Sequence, residues 1–279
     1  MRNLKKIYLI STCLFLLAVK LNGQSQTYGS ISYNKAVNIS GKQRMLSQKM
    51  AKSFLLLAYG VNNDDIKKEL NSSKFIFEKQ LEIIRQNGED APAVKLLVKN
   101  TEKIWGKFKY LIESVPNPIN AKKVLDLNTD LLKSCHAVVV QIEIMSGYSN
   151  KFYNSYDQSL VELINKSGKQ RMLSQRLGLY YTACKLYPDN KLLYREVLRK
   201  TYNEFNETIG HILISSYNTT DSEAEIGEIM HQWQKYSNNR EDFLNADFNL
   251  VDVFKTTNNL TARFNKVTGI YEKVAKSKI

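Results

Sequence analysis

The sequence predicts an all-α protein made of two tandem four-helix up-down bundles that follow a secretory leader. Three observations support this prediction: apolar residues recur at helical spacing, the second half of the chain repeats the first, and the chain opens on a short basic and apolar segment. A hydrophobic content of 43% with only 4 prolines and 12 glycines in 279 residues suits a packed globular chain.

Residues 1–24 have the pattern of a signal peptide. Lys5 and Lys6 precede an apolar and small-residue run at 7–19, and Lys20 and further small residues follow it. The alternative is an uncleaved membrane anchor, but a span needs about 20 apolar residues and Lys20 ends this run early. We therefore expect cleavage at the end of this segment and an exported, periplasmic protein.

The mature chain remains basic and poor in cysteine. Loss of the leader removes four positive charges and no negative ones, so the formal net charge falls from +13 to +9. Such a charge favours anions or anionic surfaces, and because an exported protein rarely meets nucleic acid, we expect no nucleic-acid partner. Only Cys135 and Cys184 remain, so at most one disulfide is possible, and two buried thiols are favoured.

The chain contains an internal repeat. The segment "NISGKQRMLSQ" at 38–48 returns as "NKSGKQRMLSQ" at 165–175, an offset of 127 positions with one difference. Later landmarks recur at offsets that rise to 129: Phe77 and Phe205, Leu81 and Ile209, Trp105 and Trp233, 128–131 and 257–260. This small drift indicates two copies of one fold, which we place at residues 25–148 and 149–279.

Each copy has three breaks in its helical pattern. Turn-forming residues cluster near 62, 88 and 116 in the first copy, and near 188, 219 and 238 in the second. Three breaks predict four helices per copy, and short links favour an up-down bundle. The join at 146–157 is compatible with a loop or with one helix that runs through both copies. A single eight-helix solenoid is the structural alternative.

The sequence offers little for catalysis. It has no Gly-rich phosphate loop, HExxH motif or nucleophile elbow, so we predict neither an enzyme nor a cofactor. The residues that come closest to a di-iron pattern are Glu207, His211, Glu228 and His231. Di-iron bundles use two ExxH pairs and two more glutamates, whereas the first copy has Asn100 and Lys103 at the matching positions. We therefore predict no metal site.

The repeated motif places unusual residues on one side of a helix. Steps of three and four bring Asn38, Gly41, Arg44 or Met45, and Gln48 to the same face. Glycine within a helix costs about 0.5–1 kcal/mol relative to alanine, so Gly41 suggests close approach of a partner helix or a ligand. Arg44 can offer a planar fork of donors to an oxyanion. The alternative is that Arg44 lies along the surface of a helix pair.

The motif Asn-x-Ser-Gly-Lys-Gln-Arg-Met-Leu-Ser-Gln resembles the first-helix signature of the PilJ/NarX-type sensor domain. That domain is found outside the membrane in type IV pilus chemotaxis transducers and in nitrate/nitrite sensor kinases. The resemblance implies a four-helix bundle that works as a dimer, with the motif glycine and arginine holding an anion between two first helices. These roles fall on Gly41, Arg44, Gly168 and Arg171. The supporting positions are Asn38, Met45, Gln48, Asn165, Met172 and Gln175.

The resemblance leads to two hypotheses for function. Gln43 and Gln170 make the motif most similar to the pilus-transducer branch. Our first hypothesis is an exported, non-catalytic binding protein in which the two copies form an intramolecular pseudo-dimer in place of the homodimer. A small anion such as nitrate or nitrite would lie between Arg44 and Arg171, and a membrane receptor or kinase would read the bound state. The alternative is a helical interaction module that docks on a membrane receptor or envelope assembly without a small ligand.

Overall fold

A computed structural model describes residues 27–146 and 158–277, and over these ranges it confirms the all-α class. The described part contains nine α-helices and one two-stranded hairpin. The strands are β1 Thr27–Tyr28 and β2 Ile31–Ser32. The helices of the first half are α1 Tyr33–Ala58, α2 Asp64–Asn87, α3 Pro92–Ile112 and α4 Pro118–Met145. Those of the second half are α5 Gln158–Leu186, α6 Lys191–Leu213, α7 Thr220–Ser237, α8 Arg240–Leu244 and α9 Leu250–Ser277, with a 3₁₀ turn at Pro188–Asn190.

The long helices form two up-down bundles in tandem, as the sequence predicts. In the first bundle, α1 packs on α2 and α4, and α3 packs mainly on α4. In the second bundle, α5 packs on α6 and α9, and α7 packs on α9. The two bundles meet along α1 and α5. Within 27–146 and 158–277, none of the helices combines the length and apolar character that a membrane span needs.

Polar caps or prolines mark the helix starts at five of the six predicted breaks, all except the one near 238. Asn63 caps α2 by accepting a hydrogen bond from the backbone N–H of Asp65 at 2.8 Å. Asn117 caps α4 in the same way and is followed by Pro118, which needs no donor at the first helical position. Thr219 and Ser222 form a capping box at α7. The leader and most of the join, residues 147–157, lie outside the described residues.

The repeated landmarks occupy matching places in the two cores. Phe77 stacks on Trp105 with ring centroids 4.3 Å apart, and Phe205 contacts Trp233 with centroids 4.8 Å apart. All four side chains are buried. The internal repeat therefore reflects a repeated core.

A small hairpin at the start of the described chain was not predicted. Gly29 has a φ of +59°, which glycine adopts readily, and this allows the tight reversal between β1 and β2. The Tyr28 hydroxyl donates to the carbonyl of Ile84 at 2.8 Å, and the Ser30 N–H donates to Asn87 Oδ1 at 2.7 Å. These bonds fasten the hairpin to the end of α2. Two-residue strands are too short for an alternating pattern to reveal them.

The short helix α8 is a second departure from the prediction. It inserts Phe243 among the rings of Tyr181, Trp233 and Tyr236, with centroid distances of 5.0, 5.4 and 5.3 Å. Phe243 is fully buried. Its place in the core explains why the last break of the second copy contains a helical turn and not only a loop.

Both cysteines of the described chain are free and buried, which confirms the preferred prediction. Cys135 lies on α4 and Cys184 on α5. Burial raises the pKa of the Cys135 thiol to about 12 and that of Cys184 to about 11. Both thiols are therefore protonated and unreactive at neutral pH.

Candidate functional site between the first helices

Helices α1 and α5 run parallel where the bundles meet. Arg176 Nη1 on α5 donates to Gln48 Oε1 on α1 at 3.1 Å. Further along both helices, the stem of Lys52 passes beside Gly178. Because contacting positions increase together along the two helices, the repeated motifs lie side by side.

Each motif glycine makes room for the arginine that follows it on the same helix. A Cβ atom at Gly41 would lie 3.7 Å from Arg44 Nη2, and one at Gly168 would lie 3.3 Å from Arg171 Nη2. Arg171 Nε also donates to the carbonyl of Gly168 at 3.2 Å. The sequence suggested that a partner helix or a ligand approaches these glycines. In the structure, the arginine of the same turn is the neighbour that lies closest.

Each arginine is held by the last long helix of its own bundle. Arg44 Nη1 donates to His136 Nδ1 on α4 at 3.1 Å. Arg171 Nη1 donates to Asn265 Oδ1 on α9 at 3.0 Å. His136 and Asn265 are 129 positions apart, which equals the offset between the two copies near the end of the repeat, so they are equivalent positions. The two halves of the site are therefore built alike, with a different residue as the acceptor.

Arg171 is buried and Arg44 is half-buried, and both guanidinium groups remain charged. Burial lowers the pKa of Arg44, and the carboxylate of Glu143 acts in the opposite direction. Burial lowers the pKa of Arg171 to about 10, with Glu272 opposing this shift and the positive charge of Arg44 adding to it. Arg44 and Arg171 are therefore close enough for their charges to interact across the two bundles. Glu143 and Glu272 are again 129 positions apart.

Other charged residues also interact electrostatically between the two bundles. Burial and the nearby charge of Arg171 lower the pKa of Lys42, whereas Glu272 raises it. Burial, Arg44 and Lys169 lower the pKa of His136, which favours the neutral ring that accepts from Arg44. Lys169 itself forms an ion pair with Glu204 of α6.

Three polar atoms near the start of the motif lack a partner. In the described part of the chain, Asn38 Oδ1, Gln43 Oε1 and Arg44 Nε are buried and make no hydrogen bond within the protein. Buried polar atoms normally have a partner, so these atoms are candidates to bind a ligand or water. Of the remaining predicted residues, Met45 and Met172 are half-buried and Asn165 is exposed.

The two motif glutamines bind elsewhere. Gln48 and Asn128 exchange two hydrogen bonds of 3.1 and 3.2 Å between α1 and α4. Gln175 donates to Thr261 at 2.7 Å and to Asn258 at 3.0 Å on α9. Both glutamines are fully buried. Their side chains tie each first helix to the last long helix of its bundle and do not bind the motif arginines Arg44 and Arg171.

Sequence reasoning missed five residues around the arginines: Lys42 lies within the near-identical segment, and the other four lie outside it. They are Lys42, His136, Glu143, Asn265 and Glu272. The repeat offset contained a usable signal for four of them. A shift of 129 aligns His136 with Asn265 and Glu143 with Glu272, and it would have placed both pairs at equivalent positions.

Glu228, one of the four residues closest to a di-iron pattern, forms an ion pair with an arginine. Glu228 Oε2 accepts from Arg263 Nη2 at 3.1 Å. Across residues 27–146 and 158–277, no three His, Cys, Asp or Glu side chains come together in a way that could hold a metal ion.

The comparison with known families bears on the first bundle. Residues 30–127 match the PilJ family, described as the N-terminal domain of type IV pili methyl-accepting chemotaxis transducers. The matched region covers α1, α2, α3 and the start of α4, including Gly41 and Arg44. It indicates a sensory module of the chemotaxis-transducer kind in this part of the chain. No curated protein and no solved structure matches the chain.

Proposed function

We propose that the protein is an exported, non-catalytic sensory protein that holds a small oxyanion of the nitrate or nitrite type between Arg44 and Arg171. The observation that supports this most is the meeting of the two repeated arginines. They lie on parallel helices, the charge of Arg44 reaches Arg171, and within the described residues neither guanidinium forms an ion pair with a carboxylate. An anion between them would relieve this repulsion.

The local charge balance fits a monovalent anion. Lys42, Arg44 and Arg171 supply three positive charges, and Glu143 and Glu272 supply two negative ones. One net positive charge remains, because Lys169 is neutralised by its own ion pair. A single negative charge on the ligand would complete the balance.

The arginines also supply directional donors. Arg44 Nε has no partner within the described residues, and a guanidinium presents its N–H groups in one plane. A planar oxyanion can accept from such a fork with two oxygens. Each charge-assisted hydrogen bond contributes about 1.5–3 kcal/mol, and the buried setting strengthens it.

The PilJ match supports a sensory role over a catalytic one. The likeness of the second bundle suggests that it is a second domain of the same kind, so that residues 25–148 and 149–279 pair within one chain. A membrane receptor or kinase would then respond to the bound state. Export requires the leader at 1–24 to act as a signal peptide, and an intact mass that still includes these residues after secretion would rule out its cleavage.

Calorimetry tests the ligand directly. We expect the mature protein to bind nitrate or nitrite more tightly than chloride, and Arg44→Ala and Arg171→Ala each to weaken binding about tenfold to a hundredfold, because each removes at least one charge-assisted bond. Arg176→Ala is the matched control, since this arginine lies on the same helix but binds Gln48. It should leave the affinity within about twofold of the wild type.

One observation favours the alternative of a docking module without a ligand. Both arginines already donate to protein acceptors, His136 and Asn265, as a purely structural motif would. In that case no anion binds measurably, and the arginine variants change the melting temperature alone. The same calorimetry therefore separates the two functions.

A further inference from the structure

Lys52 is a charged residue that is completely buried between the two bundles. Its side chain has no exposed surface. Nζ lies 3.1 Å from Glu69 Oε1 on α2, donates to Asn258 Oδ1 on α9 at 2.7 Å, and lies 4.6 Å from the ring centre of Phe254. Lys52 therefore belongs to the first bundle, but two of these three partners, Asn258 and Phe254, belong to the second.

Glu69 is the anionic centre of the same network. It accepts from Ser53 Oγ at 2.8 Å and from Asn258 Nδ2 at 2.5 Å, and Lys49 Nζ lies 3.4 Å away. Burial raises the pKa of this carboxyl group, but the charges of Lys52 and Lys49 outweigh burial and leave the pKa below its ordinary value. Burial lowers the pKa of Lys52 to about 8 although Glu69 opposes this shift, so at pH 7 both members of the pair are charged.

Gly178 on α5 leaves the space that the lysine stem occupies. A Cβ atom at this position would lie 2.9 Å from Lys52 Cδ and 3.0 Å from Thr257 Oγ1. Real Cβ atoms do not come this close to a neighbour, so one group would have to move. Lys52 cannot move freely, because its backbone belongs to α1 and its ammonium group is held by Glu69 and Asn258.

The three residues that form this contact, Lys52, Gly178 and Asn258, are replaced by other residues at the equivalent positions of the other bundle. By the offset of 127, Lys52 corresponds to Leu179, and Gly178 corresponds to Ala51. By the offset of 129, Asn258 corresponds to Thr129. The two first helices, which share a near-identical motif one to three turns earlier, therefore differ at the place where this network joins them.

We propose that the face of α1 around Lys52 is a docking surface specific for the second bundle, and that it excludes pairing with another first bundle. In a pair of first bundles, each Lys52 would meet the methyl group of Ala51 where Gly178 now leaves space. Thr129 would stand in place of Asn258. A buried charge that loses a partner is strongly destabilising, so such a pair is disfavoured. This inference does not depend on a bound ligand.

A double-mutant cycle in the mature full-length chain tests the contact. We expect Gly178→Ala to lower the melting temperature by roughly 5 °C, whereas Gly106→Ala should leave it unchanged or raise it, because nothing lies within 4 Å of a Cβ at Gly106. Lys52→Ala removes the obstructing stem. In that background Gly178→Ala should lose most of its effect. A Gly178→Ala protein as stable as the Gly106→Ala control, or a cycle without coupling, would overturn the proposed contact.

Light scattering tests the exclusion of self-pairing. We expect the wild-type chain to have the mass of one copy at micromolar concentration. Lys52→Leu introduces the residue found at the equivalent position 179 of the second bundle, and Glu69 keeps its ion pair with Lys49. Because this variant no longer buries an ammonium group, it should show a two-chain mass as the concentration rises. A two-chain mass in the wild type, or a Lys52→Leu protein that remains a single copy, would show that Lys52 does not exclude a second first bundle.

Discussion

His136 and Asn265 occupy equivalent positions on the last long helix of each bundle, and each accepts a hydrogen bond from the motif arginine of its bundle. The distances, 3.1 Å from Arg44 and 3.0 Å from Arg171, are almost the same. The chemistry differs, because an asparagine cannot titrate near neutral pH and a histidine can. One half of the candidate site therefore responds to pH and the other does not.

Acidification should weaken the protein through His136. The folded protein lowers the pKa of this ring below 6.5, so the unfolded chain takes up a proton first as the pH falls. Stability from this group is complete above that value and decreases below it. We expect His136→Asn, which introduces the residue of the second bundle, to reduce the fall in melting temperature between pH 7.5 and pH 5. His231→Asn, at an exposed histidine of α7, serves as the control. Identical pH profiles for wild type and His136→Asn would contradict this prediction.

The two motif glycines should differ in their tolerance of a methyl group. Gly41→Ala places a Cβ 3.7 Å from Arg44 Nη2, an ordinary contact, so it should stabilise the helix by about 0.5–1 kcal/mol. Gly168→Ala places it at 3.3 Å from a guanidinium that is held by Asn265, so the gain should be cancelled or reversed. Chemical denaturation of the two variants measures the difference. Equal gains at both positions would show that Arg171 moves aside freely.

Removal of Glu69 should be far more damaging than removal of an exposed carboxylate. Glu69→Ala leaves the ammonium group of Lys52 buried with one partner fewer, which costs about 3–5 kcal/mol in buried ion pairs. The control is Glu113→Ala, which breaks the exposed pair with Lys74 and should cost less than about 1 kcal/mol. Unfolding in urea gives both values. Similar losses for the two variants would mean that Lys52 finds water or another partner once Glu69 is gone.

Much of the fold could be predicted because its signals are local. Proline and capping residues act within one turn, so the break before Pro118 could be read from the sequence, and the apolar period gave the long helices. Phe243 shows the limit of this reasoning. Its helical turn is too short for a periodic pattern, and its burial depends on rings that come from two other helices, α5 and α7.

The candidate site was predictable only where the repeat marked it. Gly41 and Arg44 were found because the same residues return in the second copy, whereas His136 lies 92 positions from Arg44 and has a different residue as its counterpart. The role of Lys52 could not be predicted from the sequence at all. Its acceptor Asn258 lies 206 positions away, and neither residue recurs in the other copy. Single-sequence patterns contain no record of such pairings.

The repeated aromatic core gives the protein a built-in optical probe in each half. The chain has 2 tryptophans, one per bundle, and their surroundings differ: Trp105 stacks on Phe77, whereas Trp233 lies among tyrosine and phenylalanine rings and donates to Asn206 at 2.6 Å. Replacing either indole with phenylalanine leaves a chain whose tryptophan fluorescence comes from one bundle alone. Paired emission traces can then reveal whether the halves lose their structure together or in sequence, without any added dye.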